Sequence, residues 1–123
     1  MGLNLLREYV AERYGHEVTE VPNGFAVYGL QQLDGRNILF VQDFYVSPAN
    51  RGHNNSSARQ LFNKLKGIVK QEGWEGIAGM VQLDALNGNK MLKLFLGLGF
   101  KAIRGDNTSI LIYYEVKNGH EKR

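Results

Sequence analysis

The chain has 123 residues, 43% of them hydrophobic, and a net charge of +3 at pH 7. That length suits one domain, residues 1–123, able to bury a core without staples. The absence of cysteine excludes a disulfide framework and a thiolate metal site, and His16, His53 and His120 are too scattered to give a ligand spacing.

Charge is unevenly spread. Residues 1–50 hold three Arg against six acids, and residues 51–123 hold twelve Lys or Arg against six acids, so the halves carry −3 and +6. A basic second half suits an anionic ligand, although a solvated lysine face is the commoner cause of such a balance. Arg and Glu inside the apolar run MGLNLLREYV argue against a signal peptide, and no segment is long and apolar enough to span a bilayer. A soluble, cytoplasmic protein is expected.

From Gly2 to Tyr14, Leu3, Leu6 and Val10 recur at helical spacing, which predicts a helix ending near Gly15. Residues 16–21 are short and mixed. Pro22-Asn23-Gly24 make a turn into a strand over 25–33, and Asp34-Gly35 signals a hairpin that returns the chain antiparallel through residues 36–46. That second strand is broad, apolar and aromatic, and it breaks at Ser47-Pro48. Beyond a polar loop, Leu61, Phe62, Leu65, Ile68 and Val69 line one face of a helix whose other face is basic, closed by Gly73. Residues 74–83 read as the next strand, completing a strand–helix–strand crossover of the kind that pairs strands in parallel. Asn87-Gly88-Asn89 starts a second helix that buries Met91, Leu92, Phe95 and Leu96 and stops at Gly97 and Gly99. A final hairpin spans residues 100–116 around Gly105-Asp106-Asn107, and the tail, residues 117–123, is expected to fray.

The stretch RNILFVQDFYVSPANRGHNNSSARQLFNKL, residues 36–65, is therefore strand, polar loop, helix. A loop feeding a helix N-terminus can gather free backbone N–H groups where the macrodipole favours negative charge, so an anion such as phosphate is the expected guest. An ordinary capped helix, with Asn54, Asn55, Ser56 and Ser57 serving as local caps, explains the same residues without a ligand.

The order of elements, with VQDFYVSPANRG and KLFLGLGF, resembles the GCN5-related N-acetyltransferase (GNAT) superfamily over residues 25–116, and small bacteriophage acetyltransferase-like proteins most of all. The resemblance implies an α/β (mixed α+β) fold: a mostly antiparallel central sheet, splayed at its central strands, with helices on both faces and a shortened N-terminal part. It implies acetyl-CoA as co-substrate, with Phe44, Tyr45 and Val46 along the pantetheine arm and Arg51, Gly52, His53, Asn54, Asn55, Ser56 and Ser57 at the pyrophosphate. Asn54 and Ser56 stand where the family carries glycines. Asn87 and Asn89 flank the column where the family often has an Asn touching pantetheine, and Gly88 falls in that column; Asn89 is the cofactor-binding candidate there, with helix capping as the other role for both.

Acetyl transfer needs a base for the amine proton and an acid for the leaving thiolate. The family's base and acid positions fall on Gln42 and Phe95, neither of which titrates usefully. Asp43, the only carboxylate on its strand, is the candidate base, and Tyr45, or Tyr28, Tyr113 or Tyr114, the candidate acid. The reading is an N-acetyltransferase of an unidentified primary amine, with a second copy that could complete the acceptor groove. Two other classes stand beside it: a non-catalytic phage-type member binding CoA or a host or virion protein, and, weakest, a nucleic-acid module built on Arg59, Lys64, Lys66, Lys70, Lys90 and Lys93.

Overall fold

The computed structural model describes residues 5, 7–9, 11–12, 15–47, 56–83 and 88–116. Leu5, Arg7–Tyr9, Ala11 and Glu12 are helical, and Gly15 donates its N–H to the Ala11 carbonyl at 3.2 Å. Then follow β1 (Glu17–Val21), β2 (Gly24–Leu33), β3 (Arg36–Val46), α1 (Ser56–Glu72), β4 (Gly76–Gln82), α2 (Gly88–Gly97), β5 (Lys101–Gly105) and β6 (Ser109–Glu115). They form one six-stranded sheet in the order β1-β2-β3-β4-β6-β5, antiparallel except where β3 meets β4. β1 is the element that the sequence leaves unassigned: an edge strand with Glu17, Thr19 and Glu20 carries little apolar signal.

Asp34 and Gly35, at φ +52° and +83°, make the turn between β2 and β3, a geometry that matches the twist of the flanking strands. The sheet is apolar on both sides. On one face Leu61, Phe62, Leu65 and Val69 of α1 and Phe95 of α2 pack against Ala26, Leu39, Ile77, Val81 and Ile112. Each Leu, Ile, Val or Phe side chain taken out of water there contributes about 1.5–3 kcal/mol. Rings knit this core: Phe62 meets Tyr114 edge-on at 4.9 Å and Phe95 meets Phe100 at 5.3 Å. On the other face Ile38, Ala78, Leu111 and Tyr113 form a second cluster with Leu33 and Phe40.

The strands are tied at one end and open at the other. At the tied end Arg36 of β3 bonds Glu115 of β6 at 2.9 Å and lies 5.0 Å over the Tyr113 ring. Tyr113 in turn donates its hydroxyl to Glu115 at 2.9 Å. At the open end β3 and β4 part: their pairing runs from Ile38↔Gly76 to Val41↔Gly79 and goes no further, although both strands continue.

Candidate active site

The opening between β3 and β4 is the candidate site. A β-bulge sharpens it: Tyr28 pairs with Val41 and Val27 with Asp43, leaving Gln42 without a place in the β2 register. The extra residue resets the alternation of β3 and bends the strand where its pairing with β4 ends. Leu39, Val41 and Phe44 consequently all face the helices, while Asp43, beside Val27, turns to the other face. Past Val41, the backbone of β3 on its β4 side has no strand opposite. Such N–H and C=O groups need a partner from ligand or water.

A cavity of about 270 Å³ fills the opening, lined by Val41 to Phe44, Ala78 to Gln82, Gly88, Met91, Phe95, Phe100 and Ile112. Its helix side is closed by rings. Phe44 and Phe95 stand edge to face, 5.0 Å between centroids, and Phe95 is only 7% exposed. Gly88 opens α2 so close to the end of β4 that a Cβ there would strike the Gln82 carbonyl and crowd Leu83. A glycine is required for that approach. Because β3 and β4 run parallel, α1 and α2 both begin at this end of the sheet, which sets two helix N-termini beside the opening. Ser56 starts α1 exposed, and Ser57 behind it is 6% exposed.

A larger groove, about 820 Å³, lies off the opening between the β1–β2 turn and α1. It holds Tyr45, whose ring tilts against Phe25 at 5.6 Å, together with Glu20, Gln60 and Lys64. The opening is the stronger candidate despite its smaller volume, because only there do two central strands leave backbone edges uncovered.

Of the residues singled out in the sequence, Gln42, Asp43, Phe44 and Phe95 come together at the cavity. Asp43 is the sole ionisable side chain among the described residues that line it. Val46 is buried beyond it. Asn89 is exposed on the first turn of α2 and does not line the cavity, where Gly88 stands instead. Arg51, Gly52, His53, Asn54 and Asn55, with Asn87, lie outside the described residues. Among the other tyrosines, Tyr114 packs on Phe62 and Phe100 in the core. Tyr113 sits at the tied end, where burial and the neighbouring Glu115 push its hydroxyl up to about 12. Burial, then Glu17 and Glu72, raise Tyr28 as well. The resemblance implies that the strand over residues 74–83 splays from β3, but it names none of the wall residues from β4 and the β5 side, Ala78 to Gln82 and Phe100. The signal available was the glycine at position 79 in an otherwise apolar strand.

No family model matches the chain, and no curated protein matches it in sequence. Solved structures do match it. A Desulfovibrio desulfuricans protein assigned to the GNAT family of acetyltransferases superposes with a TM-score of 0.69 at 16% identity, over 93% of this chain and 78% of its own. The Salmonella typhimurium protein YncA, assigned as an acetyltransferase and solved with acetyl-CoA, gives 0.64 at 18% identity over 94% and 73%. The ribosomal-protein-S18-alanine N-acetyltransferase from Escherichia coli gives 0.62 at 14% identity over 89% and 76%. The chain has the mixed α+β fold of the GNAT acetyltransferases, with a mostly antiparallel six-stranded sheet opened at its two central strands.

Proposed function

We propose that the protein is an acetyl-CoA-dependent N-acetyltransferase acting on a primary amine. The observation that carries the reading is the parting of β3 and β4 after Val41 and Gly79 over a cavity walled by apolar side chains. The uncovered β3 edge offers backbone groups to the amides of a pantetheine arm in the manner of an added strand. The N-terminus of α1, with Ser56 and Ser57, favours the negative charge of a pyrophosphate, and Arg51 to Asn55 are proposed to complete that cradle. Acetyl-CoA supplies the thioester whose carbonyl carbon an amine nitrogen attacks.

The chain's own residues then have three tasks. The walls from Phe44, Phe95 and Phe100 exclude water from the acyl group and limit hydrolysis. Backbone N–H groups at the opening can hold the carbonyl oxygen as it gains charge. The Asp43 carboxylate, on the face away from the helices, accepts the proton that the amine loses as its N–C bond forms. With Phe95 at the wall, the sulfur released when the C–S bond breaks takes its proton from solvent or from Tyr45.

The non-catalytic reading has one observation behind it: Gln42 and Phe95 give the cavity no second titratable group. The nucleic-acid reading is disfavoured, since Lys66 lies 4.8 Å over the Phe62 ring and Lys64 donates to the Glu20 carbonyl at 2.7 Å. The deciding experiment is thiol release from acetyl-CoA with a panel of amines. Amine-dependent release supports the transferase; tight binding without release supports the non-catalytic member.

A further inference from the structure

Behind the opening, on the face away from α1 and α2, lies a second cavity of about 600 Å³, a volume in the range of small-ligand sites. Its floor is apolar: Leu33, Ile38, Phe40, Leu111, and Ala78 with Met80. Ala78 and Met80 also border the β3–β4 cavity, so the two spaces lie back to back on β4, on either side of the point where it parts from β3. Asp43 faces this side, as its cross-strand neighbour Val27 shows.

The rim is nearly spent. Only Arg104 and Asp106 are ionisable among the described residues that line the cavity. Arg104 reaches to 4.0 Å from the Asp34 carboxylate. Asp106 turns its Oδ1 to Thr108 N at 2.8 Å, Ser109 N at 3.0 Å and the Thr108 hydroxyl at 3.1 Å. A guest bearing several ammonium groups would meet Arg104 and find one carboxylate already bonded within its own turn. A guest with a hydrocarbon body would bury it on six apolar side chains at about 25 cal/mol per Å².

We infer that this cavity holds the body of the acetyl acceptor, and that the acceptor is a small primary amine with an apolar skeleton, an alkyl or arylalkyl amine rather than a polyamine. The amine end lies toward Met80 and Asp43, and the skeleton toward Phe40, Leu33 and Leu111. The inference rests on the transferase reading for the reaction, but the binding itself can be observed apart from it.

The test has two readouts. The first is the methyl NMR signal of Met80, assigned by Met80→Leu, during titration with 2-phenylethylamine and with 1,4-diaminobutane, each with and without acetyl-CoA. A saturable shift with the arylalkyl amine, and none with the diamine over the same range, is expected. No shift with 2-phenylethylamine in either state, or an equal shift with the diamine, overturns the assignment. A shift seen while acetyl-CoA itself fails to bind would leave the cavity standing and defeat the transferase reading. The second readout is thiol release. KM for 2-phenylethylamine should lie roughly tenfold or more below that for 1,4-diaminobutane. Phe40→Ala, checked by its melting curve, should raise KM for the arylalkyl amine, whereas Gln31→Glu, at the exposed rim, should lower KM for the diamine. Affinity for acetyl-CoA should be unchanged in both. Preference for the diamine in the parent protein, or for a peptide with an apolar N-terminal residue over the free amine, overturns the small-molecule class.

Discussion

Phe44 of β3 and Phe95 of α2 meet edge to face across the β3–β4 cavity, 5.0 Å between ring centroids. Phe95 is thereby fixed at the wall by Phe44 on one side and Phe100 on the other. Its para position carries hydrogen where a tyrosine would carry an acid. Phe95→Tyr should therefore raise the rate of thiol release in the presence of an amine, by up to about a hundredfold if proton delivery to sulfur limits turnover. Steady-state kinetics with a fixed amine measure it; an unchanged or lower kcat would show that the acid is not what the site lacks.

Asp43 is the one ionisable side chain lining that cavity among the described residues. Asp43→Asn keeps its size and removes the proton acceptor. We expect kcat to fall by about a hundredfold with acetyl-CoA affinity unchanged. A loss of binding instead would assign Asp43 a structural part in the β3 bulge.

The bulge is also where the sequence was hardest to read. Asp34-Gly35 announced the β2–β3 turn, and the stripe from Leu61 to Val69 announced α1, because each rests on a local rule of backbone geometry or helical spacing. The bulge at Gln42 has no local rule. Its trace is the interval of three between Val41 and Phe44 in a strand that otherwise alternates, legible only once both are known to face the helices. β1 was opaque for a different reason: the hydrogen bonds of β2 make it a strand, and its own residues do not. Gln42, Asp43, Phe44 and Phe95, which the resemblance to the acetyltransferases singles out one by one, line one cavity, and Gly88, which it places in the pantetheine column between Asn87 and Asn89, packs against Gln82 and Leu83.

Gly88→Ala tests that packing. The new methyl would press on backbone at the end of β4, so strand and helix must separate. The expected cost is about 1–3 kcal/mol, read from urea denaturation. Stability equal to the parent would mean that α2 can shift without penalty.

Tyr113 gives a pH dependence. Its hydroxyl is pushed from 10.0 up to about 12, first by burial and then by the bond and charge of Glu115. The folded chain holds this proton more tightly than the unfolded chain, so the stabilisation is complete below pH 10 and is lost as the pH rises toward about 12. The difference in melting temperature between the parent and Tyr113→Phe should accordingly shift against the parent across that interval. A difference independent of pH would contradict the assignment.

The central claim is that the parted strands bind acetyl-CoA, and calorimetric titration of the parent protein beside Gly79→Val tests it most directly. A Cβ at Gly79 meets nothing closer than 3.7 Å, so the fold admits a side chain there, while valine's branches project into the cavity at the last residue of β4 that pairs with β3. The account predicts saturable binding to the parent and an affinity at least roughly tenfold weaker in the folded variant. Absence of binding to the parent at millimolar acetyl-CoA, or equal affinity in the two proteins, would contradict it.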